Sequence, residues 1–146
     1  MSDLGEWDQA TGDLSLGLED VDTAPDTGQS GPTLYYGSTD EFVREYLRHV
    51  YRRRIDGRNR CWAADWWRYD EAVIRLEALW RAWEHLRLDP ATGMSIWWRD
   101  HADHHMPALF DPEGPFTGID GEESTTKRGE PLPYTPPPAD LFPDVR

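Results

Sequence analysis

A chain of 146 residues with a formal charge of −13 has room for one small domain and flanking segments, and its acidity is unevenly spread. Residues 1–39 hold eight acids and no lysine or arginine, residues 40–111 hold thirteen acids against twelve arginines, and residues 112–146 hold seven acids against three bases. The single cysteine, Cys61, excludes an internal disulfide or a multi-cysteine zinc site, and no apolar stretch is long enough to span a bilayer.

The start, "MSDLGEWDQ", has neither a basic n-region nor an apolar run, so a cytoplasmic protein without a secretion signal is expected. Residues 1–35 are acidic and poor in bulky apolar groups. Such a stretch buries too little surface to offset chain entropy, and a disordered tail is expected there.

The first helix announces itself in "YYGSTDEFVREYLRHVYRRRIDG". Ser38 followed by Glu41 is a capping box, in which hydroxyl and carboxylate each accept from a backbone N–H at the helix start. Phe42, Val43, Tyr46, Leu47, Val50 and Tyr51 then recur at helical spacing, and Asp56–Gly57 is the expected end. The next stretch, "RNRCWAADWWR", reads as a loop or a short helix.

A second helix follows in "RYDEAVIRLEALWRAWEHLRLDP", with Asp70 as the expected cap. Ala72, Val73, Leu76, Leu79, Trp80, Trp83 and Leu86 share one arc at about 100° per residue. Glu71–Arg75 and Glu77–Arg81 stand acid-first at i,i+4 on the outer face. Asp89–Pro90 ends the helix, because the residue before a proline is pushed out of the helical region. The third helix lies in "TGMSIWWRDHADHHM", with Thr92 as its cap and Pro107 stopping or kinking it.

Seven of the eight tryptophans fall between residues 62 and 98. Each can bury roughly 150–250 Å², which compensates for the small size of such a domain. The expected fold is therefore an all-α, tryptophan-rich three-helix domain over residues 36–116. A disordered proline-rich tail is expected over residues 117–146, which contain "PLPYTPPPADLFPDVR".

Three features carry candidate chemistry. Within the histidine-rich run, His101 and His105 stand at i,i+4, the spacing of two zinc ligands on a helix; Cys61, Glu84 and His85 are possible third ligands by residue type alone. The commoner arrangement is packed, hydrogen-bonded histidines, and no metal or cofactor is assigned. No nucleophile, phosphate loop or paired carboxylate accompanies them, so no catalytic residue is assigned and a non-enzymatic protein is expected.

The second feature is "RRRIDGRNRCW", which gathers Arg52, Arg53, Arg54, Arg58 and Arg60 with Asp56 as the only acid. Such a cluster can grip an acidic protein segment. With Trp62, Trp66 and Trp67 beside it, segment 52–67 can alternatively bind single-stranded nucleic acid by phosphate pairing and base stacking. The third feature is the apolar pair Leu141 and Phe142 among prolines, a compact docking motif for a protein partner.

"YYGSTDEFVREYLRHVYRRRI", "WWRYDEAVIRLEALWRAWEHLRLDPATGMSIWWRDHADHHM" and "ALFDPEGPF" closely resemble the actinobacterial domain of unknown function 4913 family, from about Tyr35 to Phe116, and the terminal "PPPADLFPDVR" looks similar too. The resemblance implies a bacterial cytoplasmic protein of the kind found in plasmid, integrative-element or phage settings. It implies no known activity and no catalytic residue. Members of that family often read "DHADPHM" where this chain has "DHADHHM", which leaves His104 out of any shared site.

Overall fold

Three helices form where the apolar periodicity places them, and no strand is present among the described residues, 32–146, of this computed structural model. The expected disorder of the acidic N-terminal segment falls almost wholly on residues outside that range. Helix α1 (residues 39–50) is α-helical over Thr39–Phe42, π-helical over Val43–Leu47 and α-helical again over Arg48–Val50. Ser38 Oγ accepts the Glu41 N–H at 3.1 Å, as the capping box requires. The Glu41 carboxylate accepts from Gly37 N at 2.8 Å, one residue earlier than the box predicts.

Helix α1 ends at Val50, well before Asp56–Gly57. Tyr51 leaves the helix with φ −111° and ψ 63°. The three arginines that follow offer no apolar face to hold a further helical turn on the core. Ile55, fully buried, is reached instead by irregular chain: its N–H donates to Thr126 Oγ1 at 3.0 Å and its carbonyl accepts the Thr126 N–H at 3.0 Å. Gly57 serves a turn in place of a helix end. Its φ is +78°, and a Cβ there would press on Asp120.

The ambiguous stretch is a loop closed by a 3₁₀ turn over Trp66–Arg68. Helix α2, Asp70–Leu86, follows. Asp70 lies inside this helix and does not cap it; Tyr69 is the N-cap and makes no side-chain bond. The predicted arc faces inward, with Ala72, Leu76, Leu79, Trp80 and Trp83 buried and Val73 and Leu86, at its edges, half-buried. Glu71 and Arg75 meet at 2.9 Å, and Glu77 and Arg81 at 3.7 Å. Asp89 organises the turn after α2, accepting from Ala91 N and from Thr92 N and Oγ1.

Helix α3 (residues 93–110) is α-helical over Gly93–Ile96, π-helical over Trp97–Ala102 and α-helical over Asp103–Phe110. Thr92 is its N-cap, but its hydroxyl is turned to Asp89 and gives α3 no side-chain bond. Pro107 does not stop the helix. It sits exposed on the solvent side, where water can serve the backbone acceptor that the missing N–H leaves.

Trp62, Trp66 and Trp97 are fully buried, with Phe42 and Phe116 among them. Trp83 gathers the rings of Tyr36, Phe42 and Tyr46 at centroid distances of 5.2, 5.6 and 5.0 Å. Tilted and edge-on contacts of this kind add about 0.5–1.5 kcal/mol each beyond area burial. Trp97 Nε1 donates to the Leu79 carbonyl at 3.0 Å, which fastens α3 to α2.

Residues 117–146 differ from the expected tail: they lie against the helices as a strap. Leu132 is fully buried, Trp62 Nε1 donates to the Pro133 carbonyl at 2.8 Å, and Trp67 Nε1 donates to the Thr135 carbonyl at 2.9 Å. The average composition hides the few groups that matter, Leu132, Tyr134 and Phe142. Proline stiffness lowers the entropy lost on ordering, and free carbonyls find indole donors. The compact unit accordingly runs over Leu34–Arg146, past the boundary at residue 116.

Candidate functional site

The five arginines of the predicted cluster are carried on the irregular stretch after α1, and all five side chains are exposed. Asp56 shapes this loop from within. Its Oδ1 accepts the N–H groups of Arg58, Asn59 and Arg60 at 2.9, 2.8 and 3.2 Å, and its Oδ2 accepts from Asn59 Nδ2 at 2.9 Å. The Arg58 N–H, with those of its neighbours, outweighs desolvation and holds the Asp56 carboxyl far below the usual carboxylate range. The loop backbone is thus fixed by the one acid in the run.

Only Arg54 approaches that acid, at 3.8 Å. Among the described residues, Arg52, Arg53, Arg58 and Arg60 form no ion pair, whereas Arg44, Arg75, Arg81 and Arg99 each have one. Backbone carbonyls hold three of the four unpaired guanidinium groups. Arg52 donates to His49 O and Gly129 O, Arg53 to Arg52 O, and Arg60 to Arg54 O. These neutral bonds orient the groups and leave their charge uncompensated.

Arg53 is further positioned by stacking. Its guanidinium lies 4.2 Å from the Tyr51 ring centroid, and the Tyr51 ring stacks on Trp98 at 5.3 Å and 11°. The Tyr51 hydroxyl donates to Asp103 at 2.9 Å, so Asp103 ties α3 to the loop. Burial, and then the Asp103 contact, push the Tyr51 phenol up to about 12. Beside this stack a hollow of about 280 Å³ opens between Tyr51, Arg53, Arg60, Pro107 and Phe110.

The aromatic half of the predicted nucleic-acid surface is not available at the loop. Trp62 and Trp66 are fully buried and Trp67 is half-buried, with the Trp62 and Trp67 N–H groups engaged by the strap. Base stacking needs an open ring face, so these tryptophans serve the core. The two predicted docking residues of the C-terminal segment also separate. Leu141 is 46% exposed, but Phe142 packs on Trp66 at 5.4 Å.

His105 Nδ1 lies 3.0 Å from Arg75 Nη1, which places a guanidinium beside the imidazole ring. Desolvation and then the Arg75 charge lower the His105 pKa. His104 and His85 are exposed. Cys61 is buried with Sγ 3.6 Å from Gly57 O, its thiol pushed up by burial. No group of three or more His, Cys, Asp or Glu side chains able to hold a metal ion occurs among the described residues.

Glu84, a possible zinc ligand by residue type, is an internal acceptor. It is buried on α2 and accepts from Tyr35 N, Tyr36 N, Trp80 Nε1 and Arg87 Nε at 2.8, 2.9, 2.9 and 3.2 Å. Burial pushes its carboxyl up, but these donors together outweigh burial and bring it below its ordinary value. Only its place on the helix wheel, close to the apolar arc, could have marked it in the sequence.

No helix among the described residues is long and apolar enough to cross a membrane. Tryptophan-cored, strapped by its proline-rich segment and fringed by unpaired arginines, the chain is a small all-helical domain. It belongs to the family described as Domain of unknown function (DUF4913), whose model matches residues 36–138. The resemblance seen between Tyr35 and Phe116 therefore extends into the strap. The chain matches no curated protein and no solved structure.

Proposed function

We propose that the protein is a non-enzymatic binding module whose arginine loop grips an acidic segment of a protein partner. The observation that supports this reading is the clustering of four exposed arginines without carboxylate partners, on a backbone that Asp56 fixes in advance. Pre-ordered cations keep the cost of binding low and give charge complementarity to an acidic chain. The partner surface consists of Arg52, Arg53, Arg54, Arg58 and Arg60. Leu141 stands apart from it, and Phe142 belongs to the strap. Single-stranded nucleic acid is the weaker fit, because the indoles beside the loop are spent in the core.

Titration of the full chain with a fluorescent acidic decapeptide, and with a single-stranded DNA of equal charge, tests this. The peptide is expected to bind more tightly, and Arg58→Glu with Arg60→Glu to abolish its binding. Equal binding by that variant, or a preference for DNA that fades steeply with salt, overturns the reading. We propose a biological setting as well, on the resemblance noted in the sequence alone: a cytoplasmic accessory protein of an actinobacterial plasmid, integrative element or phage. Transfer or capsid genes beside the gene are the expected finding, and a consistently unrelated neighbourhood removes that setting.

A further inference from the structure

The hollow beside the loop combines apolar rings with arginines. Its wall contains the rings of Tyr51, Phe110 and Pro107, and its rim carries Arg53, Arg60 and Asn59. At about 280 Å³ it falls below the roughly 300–1,000 Å³ typical of sites that enclose a drug-sized ligand. It suits a single large side chain. An apolar pocket ringed by fixed cations is the anatomy of an anchor site, in which one buried ring supplies energy and the polar rim sets orientation.

We infer that this hollow receives one tryptophan or phenylalanine side chain from the acidic partner segment, with carboxylates on either side of that residue paired to Arg53 and Arg60. This rests on the binding role given to the loop and adds its sequence specificity. The Tyr51–Trp98 stack holds Arg53 at the mouth, and the Arg54 carbonyl holds Arg60. Asp111 also lines the hollow; one of its oxygens accepts the Glu113 N–H at 2.9 Å. Among the described residues it is the only acid of the lining, so it opposes an incoming carboxylate and selects for a ring flanked by acids over a run of acids.

Fluorescence anisotropy on the full chain tests this with two labelled dodecapeptides of aspartate, glutamate and serine, one with a central tryptophan and one with alanine there. The tryptophan peptide is expected to bind about tenfold more tightly or better, as burial of one large ring allows. Pro107→Glu, at an exposed lining position, is expected to erase that difference and to weaken both peptides, because it sets a carboxylate beside Arg53 and Arg60. Asp111→Asn is expected to tighten both peptides.

Equal affinity of the two peptides for the unaltered protein overturns the anchor and leaves the arginine loop standing. Failure of both peptides to bind overturns the loop reading itself. A Pro107→Glu protein of unchanged helical dichroism that still prefers tryptophan also overturns the anchor. The peptide comparison needs no variant, so it decides the matter even if Pro107→Glu fails to fold.

Discussion

The Tyr134 hydroxyl donates to Asp40 Oδ1 across 2.6 Å, joining the strap to the first turn of α1. Asp40 is buried and also takes Arg44 Nη1 at 2.7 Å, so a charged acceptor inside the fold has one partner from its own helix and one from the far end of the domain. Bonds to charged groups contribute about 1.5–3 kcal/mol each. Tyr134→Phe is expected to lower the unfolding free energy by that amount. Leu132→Ala, at a fully buried site, is expected to cost about 2–5 kcal/mol. Urea titration followed by tryptophan emission measures both. Values within about 0.5 kcal/mol of the parent, the range of an ordinary surface change, would mean that the strap adds nothing to stability.

Glu84 makes stability depend on pH at the acid end. Its folded pKa lies below the ordinary 4.5, so its contribution is present above pH 4.5 and is lost as pH falls through the folded value. Thermal midpoints recorded downward from pH 6 are expected to drop in that window. Glu84→Ala leaves the Tyr35 and Tyr36 N–H groups and the Trp80 indole without their acceptor, at a cost of about 3 kcal/mol or more. Glu84→Gln should fold but lose much of the acid-side slope. An unchanged slope in that variant would assign the pH dependence to other carboxylates.

The phenols give the opposite sign. Burial first, and neighbouring groups second, raise Tyr36, Tyr51 and Tyr134 from 10.0 to about 12. Their contribution is full below pH 10 and is lost as pH rises through about 12, because the unfolded chain releases those protons first. Tyrosinate absorbance should therefore rise in two phases. The late phase should coincide with loss of helical dichroism, and a single smooth rise near pH 10 would refute the buried geometry.

Gly93 lies so close to the Leu86 carbonyl that a Cβ would overlap it. In an ordinary helix Gly→Ala stabilises by about 1 kcal/mol. Here Gly93→Ala is expected to destabilise, by about 1–3 kcal/mol of overpacking, which calorimetry reads as a lowered melting temperature. A higher melting temperature would show that the α2–α3 turn relaxes freely.

The helices were legible because their signals are local. A cap at Ser38, the inward arc from Ala72 to Trp83 and the Asp89–Pro90 break can each be read within a few residues. The strap was not, because its order depends on Trp62, Trp67 and Asp40 meeting carbonyls and a phenol 68 to 94 residues away. Composition counts prolines and acids but cannot count partners. The end of α1 was misplaced for a related reason: Ile55 answers to Thr126, which no local pattern contains. The arginine cluster was visible as charge, whereas its fixed backbone became visible only once Asp56 was seen to accept three consecutive N–H groups. The π-helical stretch Trp97–Ala102 carries an added residue in the turn, which even helical spacing does not reveal.

The strap has a bearing on how the protein is made. A ribosome delivers the three helices first, while Leu132 and Phe142 are still inside the exit tunnel. Until they emerge, Trp62 and Trp66 lack their cover, and the half-made chain exposes its stickiest groups to the crowded cell. Stalling a nascent chain just after Phe116 has cleared the tunnel should leave it sensitive to protease, with resistance gained only when the proline-rich residues follow.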